Sequence, residues 1–267
     1  MQDKIYKVII LGGDPSGLAL AEQLSQAKLP TALVSTNLVY KTSQDLTNID
    51  IVEKQGIFLS FTHGLFGITL ADRTSIFGES LVIATGTKPI KASLKNHNII
   101  YKPSDIKGKY KHLPAVVFGN NDFAVEAALD FAKRFRYVYL CSDSFELACS
   151  KRLAKKIANT ANIVHLPNSG LLSCKNDKSG QLSEIILQTY DSIKSSVLLI
   201  SNGRLPDVPQ FLKRYIKVNA AGYAEVKSNK ESTLVPGVYA IGGVLEKSSK
   251  KDINNLAQGL VAKFKED

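Results

Sequence analysis

The sequence predicts an α/β protein built from two units of the same grammar. A β-rich strand, a glycine-rich turn, a helix and a second strand follow one another at the N-terminus, and the same order returns in the middle of the chain. That order is the βαβ unit of a Rossmann-like fold, in which the turn brings backbone amides close to a bound pyrophosphate. Two such starts in one chain are far more specific than one.

Taken in order, Ile5 to Leu11 is an apolar strand-like run, Gly12-Gly13-Asp14-Pro15-Ser16-Gly17 the turn, Leu18 to Lys28 a helix, and Thr31 to Val34 a strand. Gly56 to Phe61, Leu65 to Leu70 and Thr74 to Phe77 alternate like strands, with turns at Thr62-His63-Gly64 and Ala71-Asp72-Arg73, and predict a small meander crossing over the first sheet. Ser80 to Gly86 reads as a buried strand entering a glycine turn, and Lys91 to His112 as a polar connector. The second unit starts with Ala115 to Phe118, turns at Gly119-Asn120-Asn121-Asp122-Phe123-Ala124, and continues as a helix from Ala124 to Lys133 and a strand from Tyr137 to Leu140. Asn162 to His165, Leu182 to Thr189 and Ser196 to Ile200 are further strands, and a final helix runs from about Asn254 to Lys265.

The bulk numbers bound the function classes. The chain has 267 residues, 44% hydrophobic and 22% charged, which suffices for one large or two medium cores. No run approaches the roughly 20 apolar residues of a membrane span. Met1-Gln2-Asp3-Lys4 leads straight into a strand without signal-peptide features, so a cytoplasmic protein is expected. Cys141, Cys149 and Cys174 form no CxxC pair, which gives neither a disulfide framework nor a zinc site. His63, His97, His112 and His165 are scattered and receive no metal or catalytic role. The formal charge of +10 collects in Lys107 to Lys111, Lys151 to Lys156 and Lys247 to Lys251. Solvated lysine faces are the plain reading, and an acidic protein partner the functional one. No nucleic-acid motif accompanies the charge, so nucleic acid is not the expected partner.

The order of motifs resembles the thioredoxin reductase family, including its ferredoxin/flavodoxin NADP reductase relatives. That family carries GGGPAG, ATG, GGGDSA and VPGVFAAGD; the counterparts here are Gly12 to Gly17, Ala84-Thr85-Gly86, Gly119 to Ala124, and Val235 to Gly243. The resemblance spans nearly the whole chain. It implies two Rossmann-like domains of the three-layer ββα type, an FAD-type domain at 1–110 plus 232–267 and an NAD(P)-type domain at 111–231 inserted in it. It also implies a homodimer. The implied cofactor contacts are Gly12, Gly13, Asp14, Gly17, Ser35, Thr85, Gly86, Gly242 and Gly243 in the first domain, and Gly119, Asn120, Asn121 and Asp143 in the second.

Departures from the family pattern decide the expected chemistry. The redox CxxC falls nearest Tyr101-Lys102-Pro103-Ser104-Asp105, which has no thiol to attack a disulfide or to resolve it. Asp14 replaces the middle glycine of the first turn, and Asp14-Pro15 reads as an N-cap and first helical position whose carboxylate takes the amides that hold phosphate. Ser35 stands for the ribose-binding acid and Gly243 for the aspartate of the GD motif. The stretch from Ser35 to Ala84 is also shorter than the family's, at the part lining the isoalloxazine ring. In the second turn Asn121 replaces the middle glycine, and the arginines that grip a 2'-phosphate are absent from Cys141 to Glu146. Asp143 has two open readings, a reader of the ribose diol or a loop aspartate capping the following helix. The resulting expectation is a thioredoxin-reductase-like chain without disulfide-reductase or flavin chemistry, in a regulatory, structural or nucleotide-sensing role, with NAD(H) as the better match at the second site. The alternative is an active FAD- and NAD(P)H-dependent oxidoreductase of the ferredoxin/flavodoxin reductase type.

Overall fold

A computed structural model describes residues 4–36, 46–94, 99–106, 114–190, 192–246 and 250–266. The chain divides into two compact units, Met1–Lys88 with Leu205–Asp267, and Pro89–Arg204. In chain order the first unit contains β1 (Ile5–Leu11), α1 (Pro15–Gln26), β2 (Thr31–Val34), β3 (Ile49–Val52), β4 (Gly56–Thr62), β5 (Leu65–Leu70) and β6 (Ser75–Ile83), with β7 (Thr87–Pro89) at the crossing point. The second contains β8 (Ile99–Ile100), β9 (Ala115–Phe118), α2 (Asp122–Phe131), β10 (Val138–Cys141), α3 (Lys151–Ala158), β11 (Ile163–Leu166), β12 (Leu171–Asn176), β13 (Leu182–Leu187), β14 (Ile193–Lys194) and β15 (Leu198–Ile200). After the return crossing at β16 (Arg204–Pro206), the first unit is completed by β17 (Lys217–Val218), β18 (Ala224–Glu225), β19 (Val238–Ala240) and α4 (Lys250–Glu266).

The sheet of the first unit runs β3-β2-β1-β6-β5-β4, with β19 also paired to β6. β6 serves two roles. Its start pairs antiparallel with β5, and the strand then continues parallel to β1 as far as Leu11↔Ile83. The expected strands at Thr74 to Phe77 and Ser80 to Gly86 are one strand up to Ile83, because Gly78 between them stays extended and pairs with both Tyr6 of β1 and Phe66 of β5. Val8, Ile10, Leu33 and Val82 face the helices, where Leu20 and Leu24 of α1 meet Ala257, Leu260 and Phe264 of α4. On the opposite face Ile9, Leu11, Leu81 and Ile83 pack against Leu59, Phe66, Ile68 and Leu70 of the meander.

The inserted unit has a parallel sheet in the order β11-β10-β9-β15-β8. One face carries α2 and α3 through Val125, Ala128, Phe131, Leu153 and Ile157. The other is covered by the antiparallel β12-β13-β14 layer through Leu182, Ile185 and Leu187. Helices, parallel sheet and antiparallel sheet make the three-layer ββα arrangement.

The units divide at 88/89 and 204/205, whereas the sequence placed the crossings at 110/111 and 231/232. Two features hidden in polar sequence account for the difference. Ile99 and Ile100 pair in parallel with Leu198 and Leu199, which draws the supposed connector into the inserted sheet. Val208, Leu212, Ile216 and Ala224 are buried in the core of the first unit. The basic run Lys107 to Lys111, the first three residues of the run Lys247 to Lys251, and also His97 and His112, lie outside the described residues.

Candidate functional site

In a parallel sheet the ligand crevice lies beyond the C-terminal ends of the strands. Here the ends of β1, β2, β6 and β19 converge on one spot. The Gly12 amide donates to the Val34 carbonyl at 2.9 Å, the Ala84 amide to Leu11 at 2.7 Å, and the Ile241 amide to Ile83 at 3.0 Å. Gly12 is obligatory there: it has φ +114°, and a Cβ would stand 2.1 Å from the Ala84 carbonyl oxygen. A Cβ on Gly17 would meet the Gly12 carbonyl at 2.2 Å, and one on Gly242 would meet Ser16 Oγ at 2.1 Å. Gly13 is buried between them, and Ser35 is half-buried at the end of β2 with its amide bonded to the Val52 carbonyl at 3.1 Å.

Asp14 is the N-cap of α1 with extended backbone, and Pro15 follows as the first helical residue. Its carboxylate, however, makes no capping hydrogen bond to the helix amides, contrary to the expectation from sequence. It lies instead against Gly86, where a Cβ would fall 1.4 Å from Oδ2. Gly86 has φ +68° and is buried, and the carboxylate fills the space that a side chain on it would need.

Thr85 and Gly86 also hold a partner that sequence reasoning missed. Thr85 Oγ1 donates to the Asp207 carbonyl at 2.6 Å, and the Asp207 amide donates back to the Gly86 carbonyl at 3.0 Å. Lys88 closes the clasp with an ion pair to Asp207 at 3.0 Å. No local pattern around Asp207 announces this, because its partners lie far away in sequence. Gly243 faces the same turn, and a Cβ there would meet Thr87 Cγ2 at 3.0 Å and the Gly86 carbonyl carbon at 3.3 Å.

The turn of the inserted unit has a parallel construction. Gly119 has φ +144°, with the Ser201 carbonyl oxygen 2.4 Å from where a Cβ would lie. Asn121 caps α2 by accepting from the Ala124 amide at 3.0 Å, and its Nδ2 donates to the Ser201 carbonyl at 2.9 Å. Asn120 Nδ2 donates to Ser144 Oγ at 3.0 Å, which ties the turn to the end of β10. Asp143 is exposed at that strand end and accepts from Ser144 Oγ at 3.3 Å. It does not cap the following helix: α3 begins after Ser150, whose amide donates to the Asp122 carboxylate at 2.7 Å.

Residues 6–259 match the model of the pyridine nucleotide-disulphide oxidoreductase family. The chain belongs to that family. It is 27% identical to NADPH-dependent thioredoxin reductase 3 of Arabidopsis thaliana, over 97% of this chain but 57% of the plant protein's length. It is 24% identical to a thioredoxin reductase of Buchnera aphidicola, over 97% of this chain and 95% of that one. These alignments run over 305 and 314 positions, more than the 267 residues present, so the relatives carry residues that this chain lacks. In fold it superposes on the thioredoxin reductase of Lactococcus lactis with a TM-score of 0.84 at 15% identity, covering 98% of both chains.

Pyridine nucleotide-disulphide oxidoreductases are in general FAD- and NADPH-dependent. In the first crevice the Asp14 carboxylate lies on Gly86. The corresponding position of the second crevice holds the neutral Asn121.

The three cysteines, Cys141, Cys149 and Cys174, form no disulfide. Cys141 is buried, and burial pushes its thiol up to about 12. Burial likewise raises the thiols of Cys149 and Cys174. The segment that the resemblance puts nearest the family's redox pair forms a short 3-10 turn at Pro103–Asp105, closed by the Lys102 amide donating to the Asp105 carboxylate at 3.2 Å. Among the described residues, no group of three or more His, Cys, Asp or Glu is placed to hold a metal, and no helix is long and apolar enough to cross a membrane.

Proposed function

We propose that this chain is a thioredoxin-reductase-like protein that carries out neither disulfide reduction nor flavin chemistry, and that acts as a regulatory, structural or nucleotide-sensing member of its family. The observation that carries the proposal is the Asp14 carboxylate seated on Gly86, at the turn where the fold would bring a pyrophosphate. Two further losses act in the same site. Ser35 offers a hydroxyl in place of a bidentate carboxylate, and Gly243 offers no side chain at all. The remaining nucleotide site is the second turn, where Gly119, Asn121 and the exposed Asp143 suit a dinucleotide with a free ribose diol, and where Cys141 to Glu146 supplies no cation for a 2'-phosphate. NAD(H) is thus the proposed ligand, in a cytoplasmic homodimer.

The experiment is a pair of titrations. NADH fluorescence is followed as protein is added, and oxidation of NADH or NADPH is followed with FAD and an artificial acceptor present. The proposal expects NADH binding without turnover. Steady turnover with either donor would establish the rival reading, an FAD- and NAD(P)H-dependent oxidoreductase of the ferredoxin/flavodoxin reductase type. That rival draws its support from the intact Ala84-Thr85-Gly86 turn, yet the Thr85 hydroxyl already has a structural partner in Asp207.

A further inference from the structure

α3 packs eight residues, Lys-Arg-Leu-Ala-Lys-Lys-Ile-Ala, so that only Leu153 and Ile157 are buried. Lys151, Arg152, Lys155 and Lys156 are all exposed, and none of them takes part in an ion pair among the described residues. Cations at i and i+4 on a helix repel one another, and Lys151/Lys155 and Arg152/Lys156 are both such pairs. Their arrangement is therefore unfavourable until an anion covers it.

Beside them, between α2 and α3, lies an open, shallow groove lined by Leu129, Arg152, Lys155, Lys156, Asn159 and Thr160. The acid on the α2 side, Asp130, does not neutralise it, being already paired with Arg134 at 2.8 Å and Lys133 at 4.0 Å. Leu129 is the one apolar side chain in the lining, and it is half-buried. We infer that this groove docks an acidic protein segment bearing a single apolar anchor: Arg152, Lys155 and Lys156 receive its carboxylates, and Leu129 receives the anchor. A nucleic acid fits less well. A phosphodiester backbone has nothing to place on Leu129, and the groove holds no aromatic side chain on which a base would stack. The inference is independent of whether either dinucleotide crevice is filled.

The test uses the full chain and three fluorescent probes. One is an acidic peptide of about twelve residues with a central leucine, one is the same peptide with alanine at the centre, and one is a short DNA duplex. The leucine peptide should bind most tightly, and its binding should weaken as salt rises from about 50 to about 200 mM. Lys155→Glu combined with Lys156→Glu should weaken it about tenfold or more. Lys213→Glu, which reverses an exposed charge in the other unit, should leave it unchanged. Leu129→Ala should reduce the preference for leucine over alanine while the far-UV dichroism stays native. Tighter binding of the duplex, equal binding of the two peptides, or an equal loss with Lys213→Glu would each overturn the inference.

Discussion

The carboxylate of Asp14 occupies the space that a side chain on Gly86 would need, 1.4 Å from the position of its missing Cβ. In the inserted unit Asn121 reaches Ser201 through a hydrogen bond instead, its Nδ2 donating to the Ser201 carbonyl oxygen at 2.9 Å. Gly86 follows β6, the neighbour of β1, and Ser201 follows β15, the neighbour of β9. In each unit the residue at the middle of the glycine turn thus reaches to the end of the adjacent parallel strand, across the crevice where a pyrophosphate would lie. The two bridges differ in charge, and that difference separates their expected effects on a phosphate ligand.

The Asp14–Gly86 contact predicts a coupled double mutant. Gly86→Ala should destabilise the protein by about 2 kcal/mol or more, since alanine meets both a left-handed backbone and the carboxylate. In an Asp14→Gly background the steric part disappears, and the same change should cost about 1 kcal/mol. Urea unfolding of the four proteins measures the coupling, and additive effects would show that the carboxylate is not seated there.

The clasp on Asp207 predicts that the Ala84-Thr85-Gly86 turn now serves the fold. Thr85→Val removes the hydroxyl bond to the Asp207 carbonyl and should lower stability by about 1 kcal/mol. Thr85→Ser should retain most of it, and FAD in the buffer should change neither result. A loss seen only in the presence of FAD would assign the hydroxyl to a cofactor.

Thiol labelling separates this chain from its redox relatives. With its thiol pushed to about 12 by burial, Cys141 should resist iodoacetamide in the folded protein at a pH of about 8 and react once urea is added. Mass spectrometry of the labelled peptides reads the outcome. Rapid labelling of Cys141 in the folded state would contradict the burial.

Much of this was legible from residues alone, and for a physical reason. The Gly12 and Gly119 turns show in the sequence because no other residue tolerates their backbone and their close approach to Ala84 and Ser201. The capping by Asn121 follows from residue type and from the helix that it precedes, whereas Asp14 takes only the N-cap position, without a capping bond from its carboxylate. What Asp14 does with its carboxylate was not legible, because Gly86 reaches it only through the pairing of β1 with β6. Asp207 is invisible for the same reason. β8 was missed because two isoleucines in a polar stretch carry no periodicity, and only the edge of β15 makes them a strand.

Tyr6 predicts an alkaline limit to stability. Burial, and then the hydrogen bond that its hydroxyl donates to Asp50 at 2.6 Å, push its phenol from 10.0 up to about 12. A raised pKa favours the protonated form in the folded state, so this stabilisation is complete below pH 10.0 and is lost as pH rises through about 12. Tyr6→Phe should flatten the fall in stability over that window. An unchanged alkaline slope would locate the titration elsewhere.

The most direct measurement is the visible absorption spectrum of the purified protein, taken before and after incubation with FAD and removal of the free dye. The account predicts a colourless protein in both cases, because it has the Asp14 carboxylate on Gly86 repel the pyrophosphate. A flavin band at one FAD per chain, in either spectrum, would contradict it.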